Sequence, residues 1–337
     1  MQQVDVPGWA VARADEVFRR AERFVGRIGA SAEQQALLDT ALRGLRYDNG
    51  GLYAGPLHTP LFVHAALRGT DEPAIDLAAV LVLLNLGIHI LDDLQDGDLP
   101  AHWAGYSPGE ILLAATGLIG VVPNLLLSEL DAPPVTVAAL HRTLSQGLVR
   151  VAAGQQSDLR LSRDDTVTAE AVEQSVVAKS GERRVMFARL AGQLAGASDA
   201  EIEPYERWCR SVGAVTQLRS DLYDLFDASH DSSDLLNGTR TLPIVLRIEQ
   251  LEGAEQTAFL NGLGAARTSR EVRDEIRQEL WSAGIVMVCT FKIEVHRQRA
   301  LAALAQAEPL EPGRSGLHAM TEYLAPYAAT GTAPPPG

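Results

Sequence analysis

The sequence predicts an all-α fold in the form of a single large helical bundle. Apolar residues recur at three- and four-residue spacing through long segments, which is the period of a helix with one buried face. No window shows sustained alternation of β-branched residues, so no strand is predicted. The helical period runs through residues 10–28, 31–45, 76–96, 109–130, 135–161, 169–194 and 198–225.

Residues that favour helix starts stand before several of these segments. Ser31 precedes one, Ser107 with Pro108 precedes another, and two consecutive prolines at 133 and 134 open a third. No Pro- and Ser-rich linker divides the chain, so residues 1–331 are predicted to form one domain. Residues 332–337, which include three consecutive prolines, are predicted to be a disordered tail.

The composition limits the class of binding partner. The chain has 43 Asp and Glu against 29 Lys and Arg, a net charge of −14, and 46% hydrophobic residues. Such a chain can bury a large core, but it lacks the clustered cations that bind a nucleic-acid backbone, so no nucleic-acid partner is predicted. An anionic substrate would instead need carboxylates gathered to bind a metal ion, which then binds the anion.

Three features predict a cytoplasmic protein without a membrane span. The N-terminus lacks a basic region followed by an apolar run, so no signal peptide is predicted. The apolar stretch 77–91 is interrupted by Asn85 and His89 and is short for a membrane span, which favours a buried core helix. Cys209 and Cys289 show no metal-ligand spacing and are interpreted as thiols in a reducing compartment.

The strongest chemical signal is a cluster of aspartates at the end of the predicted helix 76–96. Asp92 and Asp96 are four residues apart and therefore project from one face, with Asp93 beside them. Three carboxylates repel one another and sit unfavourably at the negative end of the helix dipole. A hard divalent cation removes both penalties, and Mg²⁺ prefers oxygen ligands of this kind.

A second polar face lies on the predicted helix 198–225. Gln217, Asp221 and Asp224 share one face by the same spacing, inside an otherwise apolar segment. Two such faces on different helices suggest one cavity in which metal ions bridge two walls.

Five motifs, in order along the chain, resemble the trans-isoprenyl diphosphate synthase family, which shares its fold with class I terpene synthases. The resemblance implies an isoprenoid synthase bundle with its active site in a central cavity, and a homodimer. The matching segments are 92–96 (first aspartate motif), 154–159 (G-Q-x-x-D-L), 179–181 (K-T-G), 213–224 (second aspartate motif) and 234–243 (D-x-x-x-G-K-x-T-L-P).

The resemblance also implies roles for individual residues. Several Mg²⁺ ions would clamp an isoprenoid diphosphate, and their ligands would be Asp92, Asp93, Asp96, Ser220, Asp221 and Asp224. Lys179 would donate to the same diphosphate, with Arg183 or Arg184 as alternative donors. The remaining substrate-binding residues would be Gln155, Gln217, Arg240, Gly87 and Ile88, the last two setting the depth of the pocket, where the glycine would leave room for a fifteen- or twenty-carbon chain.

The sequence departs from the family pattern where the second substrate, isopentenyl diphosphate, is bound. Residues 50–56 match the family's G-G-K-x-x-R-P without its Lys or Arg, and residues 97–107 carry no Lys or Arg either. This implies a lost homoallylic site and a retained allylic site. Ser220 replaces the first aspartate of the second motif, unless Ser220 faces away and Asp221 with Asp224 form a shifted motif.

These departures lead to three hypotheses for function. The first is an isoprenyl-synthase-like terpene synthase that ionises farnesyl or geranylgeranyl diphosphate and forms a hydrocarbon or alcohol. The alternative is a prenyltransferase, either a polyprenyl diphosphate synthase or an enzyme that uses an acceptor other than isopentenyl diphosphate. The third is a non-catalytic partner subunit, which the intact first motif disfavours.

Overall fold

The structure is a computed structural model that describes residues 8–29, 31–47, 54–97, 99–161, 164, 166–227 and 231–324. Helices and turns without any strand account for these residues, which confirms the all-α prediction. The predicted tail, 332–337, and the first four residues of the segment 50–56 lie outside the described residues.

The described residues form sixteen α-helices in chain order. They are α1 (Gly8–Ile28), α2 (Ala32–Tyr47), α3 (Ala54–Arg68), α4 (Ile75–Asp96), α5 (Pro108–Thr116), α6 (Val122–Leu127), α7 (Pro134–Leu161), α8 (Ala169–Val176), α9 (Glu182–Leu194), α10 (Asp199–Phe226), α11 (Ser233–Asn237), α12 (Leu242–Gln250), α13 (Gly253–Ala266), α14 (Arg270–Ser282), α15 (Ile285–Ala307) and α16 (Gly313–Tyr323).

Two of the predicted helices are interrupted by a turn of π-helix. Gly117–Val121 separates α5 from α6, and Val177–Gly181 separates α8 from α9. A π-turn inserts an extra residue into the helical repeat and is often found at functional sites. The second π-turn contains Lys179, which is one of the predicted substrate-binding residues.

The chain divides into two compact units, and each combines distant parts of the sequence. Among the described residues, the first unit lies within 8–145, 186–206 and 304–323, and the second within 146–185, 207–303 and residue 324. Helices α7, α9, α10 and α15 contribute residues to both units. The prediction of one domain over residues 1–331 stays a prediction.

Helix α4 is the core of the first unit. Every residue from Leu77 to Leu84 is fully buried, and α4 packs against α1, α3, α5 and α6. Each buried Leu or Val contributes about 1.5–3 kcal/mol, so this helix supplies much of the unit's stability. Helix α4 ends at Gly97, whose positive φ of 79° allows its N–H to bond back to the carbonyl of Asp93.

Within the described ranges, two segments are long and apolar enough to cross a membrane by length and composition alone. The first, Glu72–Gln95, includes most of α4 and is 83% buried inside the fold, as expected for a core helix. The second, Pro108–Leu127, is 44% buried and exposes several apolar side chains, such as Leu113 and Val121.

Close contacts at glycine bring helices together in the second unit. A Cβ on Gly213 of α10 would lie 2.7 Å from the backbone N and Cα of Gly181. A Cβ on Gly154 of α7 would lie 3.0 Å from backbone atoms of Ala178 and Lys179. Since these neighbours are backbone atoms, they cannot move aside as a flexible side chain could.

We expect Gly213→Ala to lower the free energy of unfolding by roughly 1–3 kcal/mol because the added methyl group overpacks a backbone contact. The matched control is Gly262→Ala in α13, where a Cβ would meet no described atom within 4 Å. That control should raise stability by up to about 1 kcal/mol, since alanine favours helix more than glycine does. Urea unfolding of both variants is the measurement, and equal effects would contradict the backbone contact at Gly213.

Candidate active site

The first aspartate motif occupies the last turn of α4. Asp92 and Asp93 are half-buried, and Asp96 is the final helical residue, although its side chain lies outside the described part of the structure. The backbone turn at Gly97 ends the helix directly after the motif. Two or more carboxylates therefore stand at the negative end of a buried helix, where a bound cation would be favoured.

The structure corrects the expectation for Gly87, one turn and a half before this motif. A Cβ on Gly87 would lie 2.8 Å from the Cβ of Leu118 and 3.0 Å from Ile119. The missing side chain therefore serves close helix packing and does not leave open space for a longer substrate. Ile88 is buried, as a pocket or core residue would be.

The second motif begins with a hydrogen-bonded pair on α10. The Gln217 Nε2 donates to Asp221 Oδ1 at 2.9 Å, and the Ser180 hydroxyl donates to Gln217 Oε1 at 3.0 Å. The side chains of both Ser180 and Asp221 are buried, with 6% of each residue exposed. Asp221 is therefore a carboxylate held inside the helical core through an amide.

Burial raises the pKa of Asp221 to about 7. The hydrogen bond from Gln217 and the positive charge of Lys179 oppose this rise in pKa, while the negative charges of Asp158 and Asp224 add to it. Burial also raises the pKa of the neighbouring Cys289 thiol to about 12, so Cys289 is not an activated nucleophile. A cation bound at Asp221 would offset the cost of burying its charge.

The other two positions of the second motif differ from each other in their surroundings. Ser220 is exposed on α10. Asp224 holds the start of α11: its carboxylate accepts the Ser232 hydroxyl, the Ser233 N–H at 3.0 Å and the Ser233 hydroxyl at 2.7 Å. It also accepts the Asp234 N–H at 3.2 Å. Metal binding by Ser220 and by Asp224 stays a prediction.

The predicted diphosphate donors have different partners. Lys179 Nζ forms an ion pair with Asp158 Oδ2 at 2.9 Å, and both side chains remain partly exposed. Arg184 donates to Thr216 Oγ1 at 3.3 Å, while its Nη1 is buried without a hydrogen-bond partner among the described residues. Burial lowers the pKa of Arg184 to about 10, with a contribution from Arg183. Lys179 is therefore more accessible to an anion than Arg184.

The remaining predicted binding residues lie on separate segments of the second unit. Gln155 is half-buried on α7, next to the close contact at Gly154. Arg240 lies before α12, and its Nη1 donates to the carbonyl of Gly238 at 2.9 Å. The roles of Gln155 and Arg240 at a substrate stay predictions.

Asp158 and Ser180 contact predicted site residues but had not been assigned a role from the sequence. Asp158 pairs with Lys179, and Ser180 bonds Gln217. Both residues lie within segments that resemble family motifs, 154–159 and 179–181. Their positions in these motifs could therefore have identified them as site residues.

The donor types suit magnesium. Asp92, Asp93 and Asp221 offer only carboxylate oxygens, and Mg²⁺ binds through one or two carboxylates together with substrate phosphates. Within the described residues no group of three His, Cys, Asp or Glu side chains is arranged to hold a metal alone.

The all-α fold with an aspartate motif on each of two helices is that of the isoprenoid synthase class. The family model for polyprenyl synthetase matches residues 47–280, and the chain belongs to this family. It is therefore an enzyme of the isoprenyl synthase or prenyltransferase type.

Three relatives illustrate the similarity. Nonaprenyl diphosphate synthase of Mycobacterium tuberculosis is 25% identical over 336 residues, covering 92% of this chain and 94% of that one. Geranylgeranyl pyrophosphate synthase of Corynebacterium glutamicum, solved with isoprenyl diphosphate and magnesium, has a TM-score of 0.81 at 18% identity and covers 96% and 99% of the two chains. Polyprenyl synthase of Caulobacter crescentus, solved with calcium and isoprenyl diphosphate, has a TM-score of 0.80 at 18% identity, covering 94% and 95%. These structural likenesses show the fold.

We expect Asp221→Asn to change how stability depends on pH in metal-free buffer. Because folding raises the pKa of Asp221 from about 4 to about 7, the wild-type free energy of unfolding should fall as pH rises between these values. The variant lacks this titration, so its stability relative to wild type should be roughly 4 kcal/mol more favourable at pH 8 than at pH 4. Asp199→Asn, at the exposed start of the same helix, is the control. Urea unfolding at several pH values is the measurement, and parallel wild-type and Asp221→Asn profiles would show that the Asp221 pKa is not raised.

Proposed function

We propose that this enzyme is a prenyltransferase of the prenyl diphosphate synthase type, which ionises an allylic isoprenoid diphosphate and transfers the prenyl group. The observation that carries the proposal is an aspartate motif on each of two helices in a chain of the polyprenyl synthetase family. Relatives named as nonaprenyl and geranylgeranyl diphosphate synthases support this alternative better than the terpene hydrocarbon or alcohol synthase that the sequence first favoured.

The proposed mechanism assigns the residues to binding and charge stabilisation. Mg²⁺ would be held by Asp92, Asp93 and Asp96 and by Asp221, and when bound it supplies Lewis-acid stabilisation of the departing diphosphate. Lys179 would donate a charge-assisted hydrogen bond to the diphosphate, exchanging its partner Asp158 for the substrate. Apolar residues such as Ile88 would exclude water from the allylic cation.

A terpene synthase remains the second candidate because of one sequence observation. Residues 50–56 and 97–107 carry no Lys or Arg, so the second diphosphate would lack its cationic partners there. Each charge-assisted hydrogen bond contributes about 1.5–3 kcal/mol, so losing two of them would weaken binding of isopentenyl diphosphate by at least roughly 100-fold.

Incubation with ten-, fifteen- and twenty-carbon allylic diphosphates, with and without isopentenyl diphosphate, separates the two candidates. We expect elongated prenyl diphosphates that require isopentenyl diphosphate and form with a high KM for it. Leu52→Lys, which restores the family's cation, should lower that KM by about tenfold, whereas the uncharged Leu52→Gln should not. Formation of only a hydrocarbon or alcohol, independent of isopentenyl diphosphate, would establish the second candidate.

Metal dependence tests the role of the first motif. Activity should require Mg²⁺ or Mn²⁺, and Asp92→Ala should lower kcat/KM at least about 100-fold because it removes charge stabilisation of the leaving group. Asp76→Ala is the control, since Asp76 begins the same helix and pairs with Arg20. Steady-state kinetics with a metal titration is the measurement. Wild-type turnover in excess chelator would exclude a metal role for Asp92.

The proposal includes a homodimer, in keeping with the resemblance of the sequence to its family. The segment 108–127 supports it, because Leu113 is 69% exposed and Val121 is 65% exposed on a largely apolar surface. A cytoplasmic location without a membrane span is proposed as well. The 83% burial of the segment Glu72–Gln95 supports a core helix in place of a span at that segment.

A further inference from the structure

A hydrogen-bonded chain of three side chains leads to Asp221 from the π-turn Val177–Gly181. The Ser180 hydroxyl donates to Gln217 Oε1 at 3.0 Å, and Gln217 Nε2 donates to Asp221 Oδ1 at 2.9 Å. Ser180 and Asp221 are each only 6% exposed, so water competes little for these hydrogen bonds.

The hydrogen-bonded chain of Ser180, Gln217 and Asp221 uses both the carbonyl and the NH₂ group of the Gln217 amide. A carboxylate accepts hydrogen bonds and cannot donate them, so Asp221 requires the NH₂ end of the amide. The carbonyl end then points to Ser180, whose hydroxyl can donate to it. Gln217 is thus held at both ends by protein side chains, and its amide orientation serves Asp221.

The backbone of this region places Ser180 at the correct distance. Gly181 touches Gly213, where a Cβ would lie only 2.7 Å from the Gly181 backbone. Gln217 follows Gly213 by four residues on α10, one helical turn further along the same face. The close contact between the two glycines therefore brings the preceding Ser180 next to Gln217.

We propose that Ser180 is a positioning residue, which fixes Gln217 and through it aims the Asp221 carboxylate for metal binding. This inference rests on the proposed function, in which Asp221 is a metal ligand. It assigns Gln217 to the support of a metal ligand, in place of direct contact with the substrate.

The test is Mn²⁺ binding in the presence of inorganic diphosphate, measured by electron paramagnetic resonance without turnover. Ser180→Ala should weaken Mn²⁺ binding about fivefold, which is the effect of losing one uncharged hydrogen bond. Ser180→Thr should restore wild-type binding because it keeps the hydroxyl. Ser175→Ala is the matched control. Ser175 lies five residues earlier and is 5% exposed, and within the part of the chain that the structure describes its hydroxyl has no hydrogen-bond partner.

A second variant keeps the test decisive if Ser180→Ala fails to fold. Gln217→Met removes both hydrogen bonds at similar volume and should weaken Mn²⁺ binding at least as much. Wild-type Mn²⁺ binding by Gln217→Met would overturn the inference. Where Ser180→Ala does fold, adding it to Gln217→Met should have no further effect, because the hydrogen-bonded chain is already broken. Additive effects of the two substitutions would overturn the inference.

The outcomes separate the inference from the proposed function. If the wild-type protein binds no Mn²⁺ with diphosphate, the metal role of the site is wrong. If the wild type binds Mn²⁺ and Ser180→Ala binds it equally well, Ser180 does not position the ligand. Equal losses in Ser180→Ala and Ser175→Ala would point to packing and would also overturn the inference.

Discussion

Burial of the Asp221 carboxylate imposes the main electrostatic constraint on the second unit. A charge inside a helical core costs several kcal/mol unless neighbouring groups compensate for it. Gln217 donates one hydrogen bond, and the positive charge of Lys179 lies near enough to lower the Asp221 pKa. Burial still dominates and leaves that pKa at about 7. Under the proposed function, a divalent cation would bind the charged form of Asp221 and offset the cost of burying it.

Close contacts at two glycines and the π-turn Val177–Gly181 position the side chains near Asp221. Gly154 and Gly213 bring α7 and α10 against the backbone of residues 178–181. Because the helices approach to backbone contact, the short side chain of Ser180 can reach Gln217 on the neighbouring helix. The long side chain of Lys179, one residue earlier, reaches Asp158 on α7 instead. Lys179 and Ser180 both lie within the π-turn, and their side chains contact two different neighbouring helices.

The sequence was sufficient to predict the helices but not the details that depend on neighbouring helices. The segment predicted at 76–96 is observed as Ile75–Asp96, and the segment 198–225 is observed as Asp199–Phe226, since long apolar periodicity sets helix position. The π-turns were missed because one inserted residue hardly alters that periodicity. The expectation that Gly87 leaves room for a longer substrate was wrong because a glycine can mark either open space or close helix packing. The positions of Leu118 and Ile119, which the sequence does not give, show that it is close packing. Family motifs indicated the reaction class, but the absent cations favoured a terpene synthase that the relatives support less well.

The central proposal is that Asp92 and Asp221 are each ligands of a metal ion. Crystals grown with Mn²⁺ and inorganic diphosphate, measured at the manganese absorption edge, test it most directly. We expect anomalous peaks within about 2–2.3 Å of carboxylate oxygens of both residues, with the diphosphate completing the coordination. Manganese found only at other carboxylates, with Asp221 still bound to Gln217 alone, would contradict the claim.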